Sequence, residues 1–186
     1  MIVGKGICNM SKYDSKGWKN VMYESHNQLP NNVGSYDNDR WVDKQIKRNL
    51  NLTNELDILC ERNHALISHV NKLEKEEVHV LDYGGGLGLS YNPLLRKTNK
   101  KVLYQIVEVP GVCKKGEEYF ADDVNLKFMT QIPQKANVDI VYVRTSLQYS
   151  KNWTETLFKL CDLGAEYIIL SCCSTGDIPT YLTLQL

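Results

Sequence analysis

The chain has 186 residues, with 22 Lys+Arg balanced by 22 Asp+Glu, and is 42% apolar and 24% charged. That is enough for one domain with a real core, or one domain with an N-terminal appendage, at an ordinary globular composition. Balanced charge supplies no global field toward nucleic acid or an anionic membrane, and no apolar run reaches membrane-spanning length or forms a signal-peptide core, so a cytoplasmic location is expected.

Residues 1–51 are rich in Asn, Lys, Ser and Tyr and show no sustained period. Residues 18–25 and 39–49 read as short helices, joined by Gln28-Leu29-Pro30-Asn31-Asn32-Val33-Gly34-Ser35, which is loop chemistry. The segment reads either as a polar arm or as a cap over a ligand, with Trp18, Tyr36 and Trp41 lining a pocket. Aromatics this dense are unusual in a purely disordered arm. Residues 52–186 read as the main domain. Leu52, Leu56, Leu59, Leu66, Val70 and Leu73 follow three- and four-residue steps and predict one amphipathic helix of about 20 residues. Thr53 or Asn54 is its cap, and the run 72–77 is its polar exit. His64 and His69 read as ordinary residues of that helix.

Strands and helices then alternate. Residues 78–83 form a first strand, followed by a glycine turn and a helix over 89–96. Residues 102–108 form a second strand, and Pro110 opens a helix through Phe120, a position that suits proline. Leu126–Met129 is a third strand, 138–144 a fourth and 166–172 a fifth. Trp153–Cys161 is a helix with Trp153, Leu157 and Leu160 on one face. Short apolar strands bounded by helices predict an α/β fold: a Rossmann-like, doubly wound parallel sheet of order 3-2-1-4-5. Its switch point lies beside the glycine turn, where a ligand belongs.

The turn reads Leu81-Asp82-Tyr83-Gly84-Gly85-Gly86-Leu87-Gly88-Leu89-Ser90-Tyr91. Four glycines between a strand and a helix leave the backbone itself as the working surface, because Gly lets a ligand approach the main chain closely. A dinucleotide fingerprint, G-x-G-x-x-G, fits poorly, since its third glycine falls on Tyr91. Gly84, Gly86 and Gly88 instead follow Asp82 at two-residue steps, as D-x-G-x-G-x-G. A turn that binds nothing is the bland alternative. Glu108 ends the second strand 20 residues after Gly88, where a nucleotide-binding α/β domain places a carboxylate for the ribose hydroxyls.

D-x-G-x-G-x-G resembles the first motif of the class I S-adenosylmethionine-dependent methyltransferases. The resemblance implies S-adenosyl-L-methionine as cofactor, with Asp82 and the backbone of Gly84, Gly85, Gly86 and Gly88 on its methionine part and Glu108 on its ribose. It puts Thr130 and Gln131 where the adenine is contacted; the family's commoner residue there is an acid, and Gln131 either bonds the adenine edge through its amide or faces water. It puts Ser146, Gln148 and Tyr149, after the fourth strand, beside the reacting methyl group. Tyr149 and Tyr91 are the candidates for a catalytic base; no His lies near a strand's C-terminal edge. Asp139, at the far end of the fourth strand, reads as structural. The blocks LDYGGGLGLSY, IVEVPGVCKKGEEYF, LKFMTQIP, VDIVYVRTSLQY and LTLQ are similar to a narrower family of methyltransferases. Bacterial members of that family often accompany surface-polysaccharide genes. The similarity covers residues 78–186, and more loosely Trp18 and Gly34-Ser35-Tyr36-Asp37. A small-molecule or saccharide-related acceptor is therefore expected, and neither nucleic acid nor membrane.

A complete class I methyltransferase continues past the fifth strand with a helix and two more strands. This chain stops at Leu186, so strands six and seven are expected to be missing or abbreviated. The fifth strand would then be an apolar edge that invites pairing with a second copy. Two rival functions stand beside methyl transfer. A nicotinamide-dependent oxidoreductase explains the glycines and Glu108 but needs glycine where Tyr91 stands. A non-catalytic interaction protein keeps the fold and accounts for the early C-terminus. The six cysteines (8, 60, 113, 161, 172 and 173) form no C-x-x-C pair and the four histidines show no metal spacing. Reduced, mostly buried thiols and no metal are expected.

Overall fold

A computed structural model describes Tyr23, His26–Gln28, Asp39–Leu50 and residues 52–173. The chain divides into two compact units, Ser35–Ser174 and a smaller one made of Met1–Gly34 with Thr175–Leu186. His26–Gln28, in the smaller unit, is a single 3-10 turn. The expected helix over 18–25, the side chains of Trp18 and Tyr36, and the question of strands six and seven all lie outside the described residues.

In the larger unit the elements are α1 (Asp39–Leu50), α2 (Leu52–Arg62), α3 (His64–Lys72), β1 (Glu77–Tyr83), α4 (Tyr91–Lys97), β2 (Lys101–Val107), α5 (Pro110–Tyr119), β3 (Leu126–Met129), β4 (Ile140–Arg144), α6 (Trp153–Cys161) and β5 (Tyr167–Ser171). The five strands are all parallel, in the order β3-β2-β1-β4-β5. The expected sheet is thus the observed one. Consecutive residues 140–143 of β4 are fully buried, which marks a strand covered on both faces. Ile140 and Tyr142 point into a cluster with Leu66 and Val70 of α3 and Leu94 of α4. Val141 and Val143 point the other way, to Leu147 and Leu160. The period of two splits one apolar run between two cores.

Three expectations are corrected. The single helix from Leu52 is two, broken at Asn63. This buried side chain donates Nδ2 to the Leu59 carbonyl at 2.8 Å and accepts the Tyr142 hydroxyl on Oδ1 at 3.0 Å. The backbone bonds on either side are kept, with the Asn63 N–H on the Leu59 carbonyl and the Ile67 N–H on the Asn63 carbonyl, both at 3.0 Å, so the break is a local departure to φ −105° and ψ 15° that the tie to β4 holds in place. Trp153, expected beside Leu157 and Leu160, is 47% exposed at the start of α6, whereas Leu160 is buried. The cysteines divide: Cys60 and Cys113 are buried, Cys161 and Cys172 exposed, Cys173 between, all of them free thiols.

Asp139 has the structural role expected of it. Its carboxylate accepts the His79 backbone N–H at 2.9 Å and pairs with Lys75, and its own carbonyl takes the Tyr167 N–H at 3.1 Å. Burial alone would raise its pKa, but Lys75 and the His79 N–H together hold it below the ordinary aspartate value. These bonds tie β1, β4 and β5 at the N-terminal edge, leaving the opposite edge for a ligand. Among the described residues no helix is long and apolar enough to cross a membrane.

Candidate functional site at the glycine turn

Gly84, Gly86 and Gly88 take φ of 72°, 59° and 75°, a left-handed conformation that only glycine enters without strain. The Gly84 N–H bonds the Val107 carbonyl at 2.9 Å and so extends the β1–β2 ladder into the turn. Gly88 N–H to the Gly85 carbonyl and Tyr91 N–H to the Gly88 carbonyl, at 3.2 and 3.0 Å, close it into the helix start.

Side chains brace the turn from three directions. A Cβ on Gly85 would collide with the carboxyl of Asp82, and one on Gly84 with Ser146. Ser146 donates its hydroxyl to the Tyr83 carbonyl at 2.5 Å, fixing the end of β4 to the end of β1. From α1, Gln45 Oε1 lies 3.2 Å from the position a Cβ on Gly86 would take. Around it Val42 packs with Leu87 and Val112, supported by Trp41, Ile46 and Val109. Helix α1 therefore covers the turn and the start of α5.

Glu108 is held one residue past β2. Its N–H bonds the Met129 carbonyl at 2.9 Å. One carboxylate oxygen accepts the Gly86 N–H at 3.0 Å and the other the Val109 N–H at 2.9 Å. The carboxylate is thus fixed against the middle of the glycine turn.

Asp82 is 1% exposed and accepts the hydroxyl of fully buried Tyr104 at 2.8 Å. Burial pushes its pKa up to about 7, aided by the charge of Glu108, while the Tyr104 bond and the positive charge of Arg144 oppose the rise. Arg144 ends β4, and its Nε is buried with no hydrogen-bond partner among the described residues. The next residue, Thr145, has φ +54°, and Cys172 after β5 has φ +56°. Both place backbone strain at the C-terminal ends of adjacent strands.

The turn therefore gathers Asp82, Gly84, Gly85, Gly86, Gly88, Glu108 and Ser146. Gln148 is exposed and Tyr149 is 45% exposed, on the 3-10 turn that follows β4. Gln131 is exposed two residues past β3. Tyr91 is elsewhere: it is 2% exposed, in the core, with its ring centroid 5.1 Å from that of Tyr104. Burial, with a bond to Asp123, raises its phenol above the ordinary range, so it holds its proton tightly. Gln45 and Arg144 join the site without having been singled out in the sequence. The available signal was a buried polar residue between Val42 and Ile46, and a charge closing an apolar strand.

No family model matches the chain, and no curated protein sequence does. Solved structures do. A "putative S-adenosyl-L-methionine-dependent methyltransferase" from Methanococcus maripaludis aligns at TM-score 0.55 and 10% identity, over 73% of this chain and 62% of that one. That likeness shows the fold. The chain shares that neighbour's α/β fold and spans under two thirds of its length. The CurJ carbon methyltransferase aligns at TM-score 0.48 and 18% identity, over 57% of this chain and 32% of that one. The plantazolicin methyltransferase BpumL, solved with SAH, aligns at 0.44 and 15%, over 70% and 49%.

Proposed function

We propose that this chain binds S-adenosyl-L-methionine and transfers its methyl group to a small acceptor in the cytoplasm. The observation that carries the reading is the Glu108 carboxylate fixed 3.0 Å from the Gly86 N–H, at a turn with three glycines at positive φ. A nucleoside ligand needs that combination, a carboxylate for ribose hydroxyls beside a backbone without side chains. Glu108 would hold the ribose, Gln131 the adenine, and the 84–88 backbone with Asp82 the methionine part. Ser146 and Gln148 would border that end. The saccharide-related class of acceptor rests on the resemblance of the sequence blocks.

When bound, the sulfonium supplies an already activated methyl group. The chain's own work is then to hold ligand and acceptor in line, an effect that can contribute roughly 7–11 kcal/mol. Tyr149, half-exposed on the 3-10 turn after β4, would be the phenol that meets an acceptor; Tyr91 is buried in the core. A nicotinamide ligand is disfavoured by the same core packing, because Tyr91 fills the place where its fingerprint needs a third glycine.

Glu108→Ala tests the ribose assignment. Titration calorimetry should show affinity for S-adenosylmethionine falling tenfold to a hundredfold, about what charged hydrogen bonds supply, with cooperative unfolding retained. An unchanged affinity in a folded variant would remove the assignment.

A further inference from the structure

Arg144 is not explained by the packing around it. In β4 it is in register with Ser171 of β5. It follows Ile140 and Tyr142 on the strand face they share, the face that also carries Tyr104 and its bond to Asp82. A guanidinium offers five donors in a planar fork, and desolvating one without an acceptor costs free energy. Its Nε is nonetheless buried and lacks an acceptor among the described residues. Among the described residues the negative group with a recorded interaction with it is Asp82, whose carboxyl is already engaged by Tyr104 and is only a partial countercharge near neutral pH. The C-terminal ends of β1 and β4, which are direct neighbours, thus carry one acid and one base. That pair is complementary to the two ends of a free α-amino acid.

We propose that Arg144 receives a ligand carboxylate, namely the amino-acid carboxylate of S-adenosylmethionine, while Asp82 balances the ammonium. This rests on the cofactor reading above and adds a residue to it. A guanidinium and a carboxylate match as a two-bond fork, which a Lys or an amide side chain cannot reproduce. The rival role is structural, with Arg144 serving as countercharge to Asp82 alone.

The test compares S-adenosylmethionine with its decarboxylated form, which keeps the sulfonium and the amine. Titration calorimetry gives both dissociation constants for the wild type, Arg144→Gln and Arg144→Lys. Wild type should prefer the carboxylate form by about 30-fold, within the range for a charged hydrogen-bonded pair. In Arg144→Gln the preference should shrink to about threefold or less, and Arg144→Lys should fall between. A Gln variant that keeps the wild-type preference, or a wild type with none, overturns the inference while leaving the cofactor reading intact. If Arg144→Gln does not fold, the Lys variant decides: an undiminished preference there also overturns it. Failure of wild type to bind either compound overturns the cofactor reading and this inference together.

Discussion

Under the glycine turn, Asp82 shows how one buried carboxyl couples folding to pH. An unfolded aspartate titrates near 3.9. In the fold burial raises the value to about 7 against the pull of the Tyr104 hydroxyl. The protonated form is therefore the one the fold prefers. Its stabilising contribution is fully present below about pH 4 and is lost as pH rises through about 7. Asp139, Glu77, Glu118 and Glu155 all have lowered values, so their contributions are lost only at lower pH, as it falls through values below the ordinary carboxylate range. Asp82→Asn keeps the shape and removes the charge. Urea unfolding at pH 5 and pH 8 should show the variant gaining on the wild type at the higher pH, by an amount on the order of a few kcal/mol. A difference between the two proteins that does not change with pH would contradict this account of Asp82.

At the scale of elements, Asn63 joins helix, break and sheet. Its amide turns back to Leu59 at the α2–α3 junction, and its oxygen takes the hydroxyl of Tyr142 in the centre of β4. Removing either partner takes away this buried bond, so Asn63→Ala and Tyr142→Phe should each destabilise by about 1–3 kcal/mol. The double variant should cost less than the sum, with a coupling of about 1 kcal/mol in denaturant unfolding. Strict additivity would mean that the bond does not hold the junction.

The same residue explains what the sequence did and did not make legible. Leu126–Met129 and Trp153–Cys161 were readable to the residue because side-chain period and turn chemistry decide them. The break at Asn63 was not, since an apolar stripe continues across it and the bond that fixes it reaches 79 residues along the chain. The start of β4 came two residues late for a related reason: the Asp139 side chain accepts the His79 N–H. The juxtaposition of the glycines and Glu108 was legible through their spacing. Gln45 and Arg144 were not, because α1 and the end of β4 become relevant only once tertiary packing brings them to the turn.

The whole molecule brings these pieces to one edge. The order β3-β2-β1-β4-β5 makes β1 and β4 neighbours, so the connections leaving their C-terminal ends diverge, which is the switch point where such a sheet takes a ligand. At that edge the fold gathers the glycine turn, Glu108 just after β2, Arg144 at the end of β4 with Ser146 beyond it, and Gln45 from α1. At the opposite edge Asp139 and Lys75 close the sheet. The chain's net charge of zero supplies no long-range pull on polyanions. At the rim of the described sheet, β5 leaves Ile168 and Leu170 exposed.

The most direct measurement is titration calorimetry of the full chain with S-adenosylmethionine, its demethylated product and NADH. The account predicts binding of the first two in the micromolar range and no heat from NADH. No binding of either sulfur compound, or binding of NADH in their place, would contradict it.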